Sequence, residues 1–175
     1  MVNIDLSFFP EVDIIADITN LPFVDQSLDF IIFDAVLEHV KYPYQIVEEA
    51  RRALKPGGLL YLAVPFVHPY HGYPADYHRF SLESLKLLTV GFEPLEMGVL
   101  RGPMVALLNC LTDFPFLLTF AKSPRIYLAS KGLAILLCFW LKYLDKLLVK
   151  NSQSHRLAHS VYFLGKKDAD ACAAS

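Results

Sequence analysis

His68, His71 and His78 fall in one short stretch with Asp76, Tyr77 and Arg79. An imidazole titrates near neutral pH, so a histidine within hydrogen-bond reach of a substrate hydroxyl can take its proton. The same imidazoles with Asp76 can also be read as metal ligands. Their spacing matches no tight zinc motif, and Pro65, Pro69 and Pro74 suit a lid; no metal is expected. Tyr77, Arg79 and Phe80 serve equally well as substrate contacts or as anchors of the stretch to the body, and Arg79 can pair with Asp76. A second set is acidic. Asp5, Asp17 and Asp34 lie at or just after short apolar runs. In an open α/β sheet, ligands bind beyond the carboxyl ends of the strands, where a carboxylate can accept hydrogen bonds from ribose hydroxyls or an adenine amino group. Acids also simply mark turns, and each of the three taken alone reads that way first.

The elements that must position these residues are of two kinds. Val12 to Ala16, Phe30 to Phe33 and Leu59 to Val64 are short apolar runs without alternation, which fits strands buried on both faces of a parallel sheet. Val2 to Leu6 has the look of a further strand end. A helix is expected from Pro43, with Ile46, Val47, Ala50, Ala53 and Leu54 on one face. Lys55-Pro56-Gly57-Gly58 turns the chain, and strand, helix, turn, strand is a βαβ unit. Ser81 is placed to cap a helix carrying Leu82, Leu85 and Leu88, which Gly91 ends. A strand over Phe92 to Val99 follows. Residues 104–150 read as helical pieces broken at Pro115 and Pro124, Ser160 to Gly165 as a last strand, and 168–175 as a flexible tail.

The order of motifs is more specific than any one of them. Asp17-Ile18-Thr19-Asn20-Leu21-Pro22-Phe23 leads to Asp25-Gln26-Ser27-Leu28-Asp29-Phe30, then Val36-Leu37-Glu38-His39-Val40, then Arg52-Ala53-Leu54-Lys55-Pro56-Gly57-Gly58. In this order and spacing over residues 12–65 the chain resembles the class I S-adenosylmethionine (SAM) dependent methyltransferases of type 11, and more loosely so from Asp5 to Lys167. The stretch Pro74-x-Asp76-Tyr77-x-Arg79-Phe80-Ser81 resembles a loop of one subgroup. The resemblance implies a Rossmann-like α/β sheet in a single domain over 1–167, with a helical insertion at 104–150. It implies SAM as cofactor, with Asp5 on the ribose, Asp17 and the Ile18 amide on the adenine, and Asp34 and Ala35 beside the methionine. His39 becomes pocket wall and candidate base; His71 and His78 become catalytic candidates; His68, Asp76, Tyr77 and Arg79 become acceptor contacts. The family's glycine-rich loop after its first, central strand has no counterpart, since Gly57 and Gly58 are the first glycines. A sheet lacking its first strand and helix is therefore expected. Its flanking strands would pair across the gap, leave exposed edges or need another chain.

Bulk composition excludes several classes. A length of 175 residues suits one domain, and 54% apolar against 19% charged residues predicts a sizeable core rather than disorder. A net charge of −2 does not steer toward nucleic acid. Cys110, Cys138 and Cys172 form no metal or disulfide framework, so a cytoplasmic setting is the default. The first residues, Met1-Val2-Asn3-Ile4-Asp5, do not read as a signal peptide. The stretch 126–149 is interrupted by Lys131, Lys142, Asp145 and Lys146, and reads as a buried or interface-lying helix rather than a span. The expected activity is methyl transfer to a small-molecule or lipid-linked acceptor. Against it stand a non-catalytic methyltransferase-like interaction module and a peripheral membrane protein. A nicotinamide dehydrogenase would leave the motif series unexplained.

Overall fold

The apolar runs do form parallel strands, in two separate groups. The computed structural model describes residues 2–5, 10–72, 74–118 and 123–168. β1 (Ile4–Asp5) and β2 (Ile14–Ile15) are short and pair in parallel. β3 (Leu28–Asp34) and β4 (Leu54–Pro65) form a second parallel pair. β4 also pairs antiparallel with β6 (Ser160–Lys167), and β6 with β5 (Phe92–Arg101), giving the order β3-β4-β6-β5. Among the described residues, no backbone ladder joins the two sheets. β3 is buried on one face only, a correction to the expected strand buried on both: Ile31 and Phe33 are buried, whereas Phe30 and Ile32 are 46% and 43% exposed.

The parallel crossover is built by α1 (Pro43–Ala53). Pro43 opens it, where its missing N–H costs nothing, and Ile46, Val47, Ala50 and Ala53 form its fully buried stripe. Lys55-Pro56-Gly57-Gly58, expected as a turn, lies inside β4 instead, opposite the register shift between Leu28 and Phe30, and Gly57 there holds a φ of +78° that suits only glycine without strain. The segment between β2 and β3 is clasped onto α1. The Glu49 carboxylate accepts from the Leu21 amide at 2.7 Å, and Arg52 donates to the carbonyls of Leu21 and Phe23 and to Asp25. The Leu-Pro-Phe-x-Asp and Arg-x-Leu-Lys motifs are thus two halves of one architectural contact.

α2 (Leu82–Leu88) begins at a reciprocal cap: the Ser84 amide donates to Ser81 Oγ and the Ser81 amide to Ser84 Oγ. Ser81→Ala is expected to lower stability by about 1 kcal/mol in urea unfolding. The helical insertion lies between β5 and β6. α3 (Pro103–Leu118) runs through Pro115, contrary to the expected break; proline's φ is helical, and it forfeits one backbone hydrogen bond without ending the helix. α4 (Pro124–Cys138) does start at its proline. A 3-10 stretch, Phe139–Leu144, leads to α5 (Asp145–Leu148). Asp145 is buried, and its two oxygens accept from the Met104 and Val105 amides at 2.9 and 3.0 Å. It caps α3, a better use for a negative charge than a surface position.

The stretch 126–149 is not buried, which corrects that alternative. α4 packs on α3 through Tyr127, Ser130, Lys131, Ala134 and Cys138, while Leu128, Leu133, Ile135, Leu136 and Leu137 face outward. The inward face is the more polar one because Lys131 reaches Asp113 at 2.8 Å and Ser130 bonds back to the Tyr127 carbonyl. By length and composition Arg125–Leu148 is apolar enough to cross a membrane. Of the terminal segment expected to be a flexible tail, 169–175, with Cys172, lies outside the described residues.

Candidate active site

β3 ends in a strained corner. Asp34 closes the strand, and Ala35 holds φ at +55°, a region that alanine avoids. The Ala35 amide donates to the Ala63 carbonyl at 2.9 Å, which fixes the corner to β4. The chain then enters a 3-10 turn, Leu37–His39, with Leu37 and Glu38 fully buried. This turn is separate from α1, which begins four residues after His39, at Pro43 as expected.

The stretch after β4 folds back over that turn. Phe66 and Val67 extend the pairing with His159 and Ala158, and the chain returns where the Phe80 amide donates to the Pro65 carbonyl. In between, the Tyr77 amide donates to the Glu38 carbonyl at 2.8 Å, and His39 Nδ1 lies 2.5 Å from the Ala75 carbonyl. Arg79 holds the stretch closed. Its guanidinium donates to the carbonyls of His68, Pro69 and His78 and pairs with both oxygens of Asp76. This pairing holds the Asp76 carboxyl well below the usual carboxylate range. Asp76 and Arg79 are thereby engaged within the loop, which favours the anchoring role over acceptor contact. Tyr77 is exposed, 48%.

The fold brings together histidines from three places. The rings of His39 and His71 meet edge-on at 4.9 Å, His71 and His68 at 4.4 Å, and His68 and His159 at 4.7 Å. His78 is elsewhere. Its ring packs on Phe80, its Nε2 lies 3.3 Å from the Lys41 carbonyl, and it lines a groove of about 480 Å³ with Tyr42, Tyr44 and Leu88. Glu38 lies under the row: its Oε1 is 3.5 Å from His71 Nε2 and 3.8 Å from His39 Nε2. Burial pushes the Glu38 carboxyl up. Glu38, His39 and His71 place their ligand atoms within 4.8 Å of one another.

Burial pushes the His68 imidazole down, favouring its neutral form. His159, at the foot of β6, was not singled out from the sequence; the antiparallel register that pairs Pro65 with Ser160 is what brings it here. Burial, with the charges of His68 and Arg101 adding to it, pushes its imidazole down to about 4. Its unfolded value is near 6.5, so the unfolded chain binds the extra proton between those values, and stability falls as pH falls through this window. Wild type is expected to lose about 2 kcal/mol more than His159→Gln between pH 7 and 4 by urea unfolding. Equal losses would show that His159 titrates normally.

Asp5 is the last described residue of β1, and its carbonyl accepts from the Ala16 amide at 3.1 Å, which sets it beside β2, with Asp17 two residues after that strand. Both are exposed, as is Asp34. Asp17 also makes a turn of its own: the Thr19 amide donates to its Oδ1 at 2.8 Å and lowers its pKa. Ile18 is half-buried and packs against the core.

Residues 3–62 match the methyltransferase domain family. Over 61 residues the chain is 46% identical to a demethylmenaquinone methyltransferase of Paenarthrobacter aurescens, a stretch covering 34% of this chain and 24% of that one. The fold is similar to that of the [4+2]-cyclase SpnF, with a TM-score of 0.52 and 21% identity over 90% of this chain and 56% of that one. It is also similar to the Burkholderia thailandensis 1,6-didemethyltoxoflavin-N1-methyltransferase, solved with its substrate and S-adenosylhomocysteine. There the TM-score is 0.52 at 12% identity, over 94% of this chain and 60% of that one. The chain therefore spans about a quarter of that curated relative and under two thirds of these structures. A cyclase among the neighbours shows that the sheet by itself does not fix the reaction. The match to a methyltransferase domain thus covers residues 3–62 with the motif series they contain, and the chain as a whole shares its α/β fold with these structures.

Proposed function

We propose that this chain binds SAM along the ends of β1, β2 and β3 and transfers its methyl group to a small-molecule or lipid-linked acceptor carrying a hydroxyl. The observation that carries the reading is the pair of exposed carboxylates, Asp5 and Asp17, at the ends of two adjacent parallel strands inside the methyltransferase match. Their acceptor chemistry fits the ribose hydroxyls and adenine amino group of SAM, and the third acid, Asp34, ends β3 directly before the strained Ala35 corner. SAM supplies a methyl group that is already activated as a sulfonium.

The chain's own residues orient the acceptor and take its proton. Nδ1 of His68 lies 2.6 Å from the Pro69 carbonyl. That bond puts the ring proton on Nδ1 and leaves the Nε2 lone pair as the base. Incubation with methyl-labelled SAM and a panel of phenols, sugars and lipid-linked alcohols tests the reading. Labelled product from a hydroxyl acceptor is expected. No product from any member, by protein that binds SAM, would favour a non-catalytic binding module.

The outward face of α4 supports a lipid surface as the acceptor's location. Its apolar side chains point to solvent while its more polar ones pack inward, the reverse of a soluble helix. Lys142 and Lys146 lie over the rings of Phe139 and Tyr143 next to this face, placed to meet anionic headgroups. Co-sedimentation with anionic vesicles is expected, and substituting Leu133, Leu136 and Leu137 together by Ser is expected to abolish it. Wild type remaining in the supernatant would contradict a lipid-facing role. The open edge of β3 is a place for one further strand from another polypeptide segment.

A further inference from the structure

We propose that Glu38, His39 and His71 bind one divalent transition-metal ion. The starting point is an anomaly of burial. Glu38 is 0% exposed, yet neither carboxylate oxygen accepts a hydrogen bond from the described residues. A buried carboxylate with no partner costs several kcal/mol, and native structures answer such a group with a proton, an ordered water or a cation.

The surroundings favour a cation. Two imidazole nitrogens face the same oxygen, His71 Nε2 at 3.5 Å and His39 Nε2 at 3.8 Å. Ligand atoms on a tetrahedral ion with bonds of about 2 Å stand roughly 3.3 Å apart; these two contacts lie within about half an ångström of that, and all three ligand atoms lie within 4.8 Å of one another, so the two rings close toward each other on binding. An acceptor also stands behind each ring, within bonding reach of His39 Nδ1 and just beyond it for His71 Nδ1, which has no hydrogen-bond partner among the described residues. The Ala75 carbonyl beside His39 Nδ1 takes its N–H and leaves Nε2 as the lone pair turned to Glu38. On the other ring, His71 Nδ1 lies 3.6 Å from Asp76 Oδ2, which also accepts the His71 amide at 2.9 Å. Asp76 is in turn held by Arg79. Carboxylate or carbonyl behind histidine, with the far nitrogen on the metal, is the recurring outer arrangement of metal sites.

The donor set indicates which ion. Two imidazoles and one carboxylate suit zinc, cobalt, manganese or iron in the divalent state, whereas magnesium and calcium prefer oxygen throughout. Glu38 is sealed, but the side chains of His39 and His71 are 20% and 34% exposed, so the remaining coordination position opens on the imidazole side. The ion would neutralise Glu38 and tie the loop after β4 to the turn after β3. The three ligands are separate from Asp5 and Asp17, so this site and the SAM reading can fail independently.

The test uses chelator-stripped protein titrated with Co²⁺, followed by its visible absorption, then with Zn²⁺ as competitor. One equivalent is expected to bind and to be displaced by Zn²⁺. Glu38→Gln and His71→Ala are each expected to weaken binding tenfold or more, Asp76→Asn by about tenfold, and His78→Ala not at all. Glu38→Gln removes an uncompensated charge, so it is expected to fold, and its melting temperature is expected to be unmoved by Zn²⁺ while that of wild type rises. Failure of the folded, stripped protein to bind Co²⁺, or unchanged affinity in Glu38→Gln, would overturn the proposal and leave a protonated Glu38 as the account of the anomaly.

Discussion

Arg79→Ala is expected to lower stability by about 3 kcal/mol, a larger loss than that of any exposed charge on the surface. The size follows from what the guanidinium leaves behind. The Asp76 side chain is 2% exposed and ionised because Arg79 pairs with it through both oxygens. Removing the arginine strands that charge, and three loop carbonyls, those of His68, Pro69 and His78, lose a donor at the same time. Asp76→Asn with Arg79→Ala should recover part of the loss, since the stranded charge is gone. Urea unfolding of the two singles and the double checks both statements. A loss below about 1 kcal/mol for Arg79→Ala would mean that the loop is not held by this pair.

His68→Ala is expected to reduce the rate of methyl transfer to a hydroxyl acceptor by about 10²- to 10⁴-fold, the range over which general-base catalysis acts. SAM affinity is expected to stay unchanged, because His68 belongs to the loop after β4 and not to the ends of β1 or β2. The split between an intact cofactor affinity and a reduced rate constant separates a base from a residue that only shapes the fold. A reduction under threefold with the same acceptor would remove His68 from the chemistry.

Much of this architecture is legible in the sequence because local rules and tertiary packing agree. Pro43 at a helix start, the buried stripe from Ile46 to Ala53, the Ser81 cap and the Gly91 stop all express short-range physics that the fold leaves in place. The acids at the strand ends were legible for the same reason. The histidine row was only half legible. His68 and His71 lie close in sequence, but His39 joins them through a loop clasp and His159 through antiparallel register. Neither leaves a trace in local composition. The burial of Glu38 with no hydrogen-bond partner among the described residues is a property of packing alone. His78 looked equivalent to His71 on spacing, but its ring packs on Phe80 and lines a different groove. Pro115 and α4 show the converse: a strong local signal overridden by a continuing helix, and an apolar pattern whose buried side is the polar one.

The most direct test of the central claim is calorimetric titration of the folded chain with S-adenosylhomocysteine, beside Asp17→Ala. Saturable binding is predicted, weakened tenfold or more in Asp17→Ala, the loss expected of about one charge-assisted hydrogen bond. No binding by folded protein, or equal affinity in Asp17→Ala, would contradict the assignment of the strand-end acids to the cofactor.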